Sequence, residues 1–206
     1  MPPTSARYRE FPEWLRWATF AWLVFYIPVY GRFWGLANFL HLCDVAVVLT
    51  CMGVIANNAL LVSSQAVSSL LIDLLWMLDV IWRLFFGVHL IGGTEYLFDQ
   101  TYPLWLRLMS LFHVVLLGLL IWAVRRTGYD RRAFPLQSAI VVLAFVASRF
   151  TNPVKNINFA FSAPIFNRQF GPGAVHVALS IFFVVGCVCY PTHRLLKKLF
   201  GAPGRL

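Results

Sequence analysis

The sequence predicts an all-α fold, a polytopic transmembrane bundle of six helices with both termini cytoplasmic. Three observations carry that expectation. The chain is 60% hydrophobic and 12% charged over 206 residues, about half the charged share of a soluble domain. Its mean hydropathy is +0.72, and a chain of this length has too little volume to wrap so much apolar surface in water. A bilayer solvates that surface directly. The apolar residues also fall into six runs, and the basic residues gather between them.

The first run spans 14–30, with Trp14 and Trp17 at its edge as an interfacial anchor. Pro28 bends its end, and Gly31 with Arg32 terminates it. The second spans 36–56 and stops at Asn57 and Asn58. The third, 60–87, is long enough to require tilt or an extension past the bilayer. A loop with Gly92, Gly93, Glu95 and Asp99 follows, and Pro103 opens the fourth run, 103–124. After the basic turn from Arg125 to Arg132 come the fifth run, 135–149, and a Gly- and Pro-containing loop over 151–173. The sixth run spans 174–190, and a basic tail closes a single domain without internal repeats.

The net charge of +9 does not point to nucleic acid, because the basic residues form no stripe interleaved with polar ones. Their clusters suit loops that touch anionic lipid headgroups. With the N-terminus inside, the cytoplasmic segments hold Arg7, Arg9, Arg125, Arg126, Arg131, Arg132, Arg194, Lys197, Lys198 and Arg205; the opposite side holds Arg32, Arg83, Arg107, Arg149, Lys155 and Arg168. That bias favours both termini inside, in a multi-pass protein of a bacterial inner or plasma membrane. No cleavable signal peptide is expected. Cys43, Cys51, Cys187 and Cys189 lie in apolar runs without metal-ligand spacing, so neither a disulfide framework nor a metal or other cofactor is expected. The composition sets no oligomeric state.

A charge at a helix centre costs about 2.5–3.5 kcal/mol on insertion scales, so such groups are paired, hydrated or functional. They are His41 and Asp44 on the second run, Asp73, Asp79 and Arg83 on the third, Arg107 and His113 on the fourth, and Arg149 on the fifth. His113 lies about 15 Å below Pro103 at helical rise. Most of these groups fall in the outer half or near the midplane, on the side of the Asn156 and Asn158 loop, which points to a polar cavity open to the outer leaflet. His41 and Asp44 share a helical face, and Asp79 and Arg83 stand at ion-pair spacing. The structural reading of both couples is packing. Asp73 has no partner at helical spacing and must pair across helices, with His113 or Arg107. His113 stands alone in its run and reads either as a packing residue or, with carboxylates at like depth, as part of a site. His89 and His176 sit near helix ends and read as interfacial. Cys43 projects from roughly the opposite side to His41, and its default is packing.

The stretch Phe39-Leu40-His41-Leu42-Cys43-Asp44-Val45-Ala46 resembles the histidine-leucine-cysteine segment early in the second helix of YwaF-like integral membrane proteins. The helix count, His113 in the fourth helix, the basic Arg-Arg-x-Gly-Tyr turn and Asn156-Ile157-Asn158-Phe159 are also similar to that family. The resemblance covers about 36–190 and implies membrane lipid metabolism. The family includes an ether-phospholipid acyltransferase, and its plan is similar to that of membrane hydrolases of fatty-acid esters of hydroxy fatty acids. It implies Cys43 as nucleophile and His113 as general base. Three classes of function remain open at this point. One is lipid acyl transfer or acyl-ester hydrolysis. Another is a small proton-linked or ion transporter, against which no inverted repeat is found. The last is a non-catalytic scaffold or assembly partner. An outer-facing cavity lined by His41, Cys43 or Asp44, and His113 separates them.

Overall fold

A computed structural model describes residues 10–201; Arg7, Arg9 and Arg205 lie outside the described residues. The helices are α1 (Glu13–Phe33), α2 (Leu42–Ile55), α3 (Ala59–Phe86), α4 (Leu104–Leu108), α5 (Phe112–Thr127), α6 (Ala133–Ser148), α7 (Gly173–Phe183) and α8 (Tyr190–Phe200). No named strand occurs among the described residues; a single antiparallel bridge joins Ala163 to Arg168. The all-α class is therefore as expected. A 3-10 turn, Met109–Leu111, links α4 to α5, and a π-helical segment, Val184–Cys189, links α7 to α8. Two continuous helices result, Leu104–Thr127 and Gly173–Phe200, and both are long and apolar enough to cross a membrane.

Successive long helices run antiparallel, so connections gather at two ends. The turn end holds the α2–α3 and α5–α6 connections and the C-terminus of α8. The loop end holds residues 34–41, 87–103 and 149–172. α3 is the central helix, packed against α2, α5, α6 and α8.

Local chemistry sets the boundaries. α1 runs through Pro28 and past Gly31 to Phe33. Gly31 lies close to Leu36 and Phe39, and the chain reverses instead at Gly35, with φ 84°. Only glycine adopts that angle freely. The second run is not one helix. A 3-10 turn over Leu36–Leu40 ends at His41, whose ψ of 134° is extended, and α2 starts at Leu42. His41 thus stands outside the helix and shares no helical face with Asp44. At the turn end, Asn57 takes φ 51°, which asparagine tolerates. Its Oδ1 accepts the Phe11 N–H at 2.8 Å, and Asn58 caps α3 by accepting the Leu61 N–H at 3.0 Å. Gly87, with φ 76°, closes α3.

The sixth run continues far beyond 190. Tyr190, Pro191 and the basic residues to Lys198 are helical, and the π segment just before Pro191 absorbs the backbone register that proline disturbs. Basic residues in the last turn of α8, Lys197 and Lys198, suit the negative end of its dipole.

An apolar core joins the helices, and beside it a polar set lies buried on α3 while many large apolar side chains are exposed. The buried residues of α3 include Val62, Ala66 and Val67 but also Ser63, Ser64, Gln65, Ser68, Ser69, Asp73 and Asp79, while Phe85 is 81%, Phe182 75% and Leu143 70% exposed.

Candidate functional site

Asp73, Asp44 and Asp79 each head an assembly of polar groups toward the loop end. The innermost is a buried aspartate–histidine pair. Asp73, near the middle of α3, and His113, at the start of α5, meet with Oδ1 and Nδ1 2.8 Å apart, both nearly inaccessible. The imidazole stacks on Trp76 at 4.4 Å and on Phe112 at 4.3 Å between centroids. One carboxylate oxygen thus fixes the ring's rotation, and two aromatic faces fix its plane. The second carboxylate oxygen, Oδ2, is buried without a hydrogen-bond partner. Trp76 Nε1 donates to Tyr96 Oη at 3.1 Å. Tyr30 Oη lies 3.5 Å from Ser110 Oγ.

Asp44 heads the second assembly. Its Oδ1 accepts from Tyr26 Oη and its Oδ2 from Asn38 Nδ2, the latter at 2.8 Å. No His41–Asp44 hydrogen bond forms, because the break at His41 turns that ring toward the Asn158 N–H, 3.5 Å from its Nδ1. Cys43 is half-buried at the edge of the core. It lies within electrostatic range of Asp44, Asp73 and the hydroxyls of Tyr26, Tyr30 and Tyr96. His41 and His113 are likewise within electrostatic range of each other. By hydrogen bonds, however, His41 goes with Asn158, Asp44 with Tyr26 and Asn38, and Asp73 with His113.

Asp79 organises the third assembly and does not pair with Arg83. Its Oδ1 accepts the N–H groups of Ile91 at 2.6 Å and Gly92 at 3.1 Å. Its Oδ2 accepts from Thr94 Oγ1 and meets His89 Nδ1 at 3.0 Å. Four neighbours from one loop outcompete an intrahelical ion pair, so Asp79 is the fastening point of 88–94. Arg83 places its guanidinium over Phe98, 5.5 Å from the ring centroid. Arg107 turns away from Asp73 and donates to the Leu97 carbonyl at 3.0 Å. The Nε atoms of both arginines are buried without partners.

The two loop asparagines divide. Asn158 joins three elements: Oδ1 accepts the Leu42 N–H at 3.0 Å, and Nδ2 donates to the Leu40 carbonyl at 2.6 Å and to Ser148 Oγ at 3.0 Å. It caps α2 from 116 residues away. Asn156 folds its own loop, accepting from the N–H groups of Phe161 and Ser162. His176 is buried, not interfacial. It accepts the Phe170 N–H at 3.1 Å and binds the Phe159 carbonyl at 3.0 Å. Arg149 lies over Phe161, 4.3 Å from its centroid.

Sequence reasoning missed Tyr26, Asn38, Trp76, Tyr96 and Ser110, all contributors to the buried network. Tyr26 and Tyr30 carry a signal, since they stand one turn apart within the uncharged stretch 20–31 of α1. Also missed is a second polar tract. Gln137 of α6 donates to Ser68 Oγ at 2.8 Å, and Gln65 donates to Ser64 Oγ at 2.9 Å. Its signal is the four-residue spacing of Gln65, Ser69 and Asp73.

Among the described residues, no group of three or more His, Cys, Asp and Glu side chains is arranged to hold a metal ion. The fold and site define an all-helical protein with two helices long and apolar enough to cross a membrane and a buried aspartate–histidine pair. No protein-family model, curated protein or solved structure matches the chain.

Proposed function

We propose that this chain is a multi-pass membrane protein whose loop-end site carries out acyl transfer or acyl-ester hydrolysis on membrane lipids. The burial pattern supports the membrane reading: Gln65, Gln137 and several serines are sequestered, while many large leucine and phenylalanine side chains outside the core face outward. Six spans, both termini cytoplasmic, and a bacterial inner or plasma membrane belong to this reading. α2 and α6 have 14 and 16 residues, about 21 and 24 Å at helical rise. They reach across roughly 30 Å of hydrocarbon only with their flanking turns. The basic 125–132 turn and α8 would then meet anionic headgroups.

The observation that carries the catalytic reading is the Asp73–His113 pair. A carboxylate on one imidazole nitrogen selects the tautomer and leaves the other nitrogen to act as base. In this reading Cys43 transfers its thiol proton to His113 as Sγ attacks the ester carbonyl carbon. The Asp73 carboxylate stabilises the imidazolium. Collapse of the tetrahedral intermediate breaks the ester C–O bond, and His113 returns the proton to the departing alcohol. Water or an acceptor hydroxyl then cleaves the Cys43 thioester by the same proton cycle. The roles of Cys43 and His113 are those that the YwaF-like resemblance carried by Phe39–Ala46 implies.

The test uses protein reconstituted in nanodiscs with a phospholipid carrying a labelled acyl chain. Hydroxylamine-labile label should appear on the wild-type chain and vanish in Cys43→Ala. His113→Ala should slow its formation by about 10²-fold or more, with melting temperature as the control for folding. Full labelling in both variants would falsify the assignment. A second reading, proton-linked transport, is favoured by the unpartnered Oδ2 of buried Asp73. Flux into proteoliposomes indifferent to Asp73→Asn counts against it.

A further inference from the structure

The acyl-transfer reading uses Asp73 and leaves the rest of the polar face of α3 without a role. Ser63, Ser64, Gln65, Ser68, Ser69 and Asp73 are all at most 1% exposed. Gln65, Ser69 and Asp73 lead along one face toward the Asp73–His113 pair, and Gln65 donates to Ser64 Oγ at their turn-end side, while Ser63 stands on another side of the helix. At the turn end, Ser63 Oγ accepts the Asp130 N–H at 3.2 Å. Asp130 also lines a groove of about 330 Å³ with Asn57, Asn58 and Thr127. Gln65, Ser69 and Asp73 repeat every fourth residue and so lie on one face of α3.

These three residues have a second property in common. Gln65 Oε1, Ser69 Oγ and Asp73 Oδ2 are each buried without a hydrogen-bond partner, and so are Gln137 Oε1 on α6 and Thr50 Oγ1 on α2. Buried polar atoms are ordinarily satisfied, and a row of unsatisfied oxygens is costly unless something donates to it. The oxygens on α3 span eight residues, about 12 Å at helical rise. That spread suits no single cation cage. It suits a file of small donors, and water, with two protons to donate, bridges successive acceptors of this spacing.

We propose that the Gln65–Ser69–Asp73 face of α3, closed by Thr50 and Gln137, binds a file of ordered water that joins the turn-end groove to the Asp73–His113 pair. The file gives a pair buried between helices access to solvent and exchangeable protons from the turn end. A proton leaving the terminal water for Asp73 Oδ2 is replaced by one entering at the groove, so charge balances along the file. The inference does not rest on the assignment of Cys43.

Water-edited solid-state NMR of the full chain in lipid bilayers tests it. Transfer of water polarisation to the Gln65 and Gln137 side-chain amides and to the His113 ring should exceed that to Val62, Val67 and Leu120, which are equally buried but apolar. In Gln65→Leu with Gln137→Leu, transfer to His113 should fall by about fivefold or more, since apolar side chains of similar size leave the bridging waters without partners. The amide fingerprint reports whether the variant keeps its fold. Transfer to the wild-type amides as slow as to Val62 overturns the proposal by itself, without recourse to any variant. Unchanged transfer to His113 in the folded double variant also overturns it. Hydroxylamine-labile labelling at Cys43 reads the acyl assignment separately.

Discussion

At the scale of the residue, the distinction is between charges that fasten and charges left available. Asp79 is fully used by the 88–94 loop. Asp79→Ala should therefore cost about 2–3 kcal/mol, because it strands the buried Thr94 hydroxyl and two part-buried N–H donors. A double-mutant cycle with Arg83→Ala should show coupling within about 0.5 kcal/mol. Coupling of several times that size would restore the ion pair expected from spacing. Asp73 differs, since one of its oxygens has no partner. Outside the helices, the Asp99 carboxyl is held below its ordinary value, first by the Thr101 N–H and then by the Thr101 hydroxyl. A depressed folded value means that its contribution to stability is present above the ordinary carboxylate value. That contribution is lost as pH falls through the lowered one. In Thr101→Val the hydroxyl is gone, and the Asp99 carbon resonance should titrate at higher pH than in the wild type.

At the scale of the element, contacts distant in sequence decide where helices begin. Asn158 holds the first N–H of α2 and the last 3-10 carbonyl before it, and its φ of 52° suits asparagine better than alanine. Asn158→Ala should destabilise by about 3 kcal/mol, read by reversible unfolding in mixed micelles. A change below about 0.5 kcal/mol would remove its capping role. The α2–α3 hairpin depends on Gly53. A Cβ there would sit 2.8 Å from Val62 Cγ2 and 3.2 Å from the Val62 nitrogen. Gly53→Ala should cost about 2 kcal/mol. Gly118, with nothing within 4 Å of its added Cβ, should gain up to about 1 kcal/mol as alanine in the same helix-rich background. Similar effects at both positions would mean that close approach at Gly53 is not what the hairpin requires.

At the scale of the whole molecule, antiparallel helices place all the turn-end connections on one side and all the loop-end ones on the other. In the six-span reading, single cysteines introduced at Arg132 and Lys198 should react with an impermeant maleimide only after the membrane is opened. One introduced at Gln100 should react in intact cells. Labelling of all three in intact cells contradicts the common cytoplasmic side.

Much of the helical layout was legible because apolar runs and breakers are local signals. The positions of α3, α5 and α6 follow from Asn58, Gly87, Pro103 and the basic turn at 125–132. The interrupted second run was not legible, because the break at His41 is held by Asn158, over a hundred residues away. Nor was the helical basic tail, where a π segment accommodates Pro191. Within the site, the costly residues themselves were conspicuous as charges in apolar runs. Their partners were not. Tyr26, Asn38 and Trp76 are unremarkable side chains in sequence, and they become site residues only through packing.

By itself, then, the sequence determined the all-α class and which polar residues are too costly to be idle, since both follow from the price of burying or exposing a side chain. Tertiary structure alone decided which of those residues meet. Spacing made Asp79–Arg83 and His41–Asp44 equally plausible couples, yet loop N–H groups took Asp79, and Tyr26 with Asn38 took Asp44. Asp73 found His113 across two helices. Pairing is a matter of distance and competition among donors, and those exist only once the helices are packed.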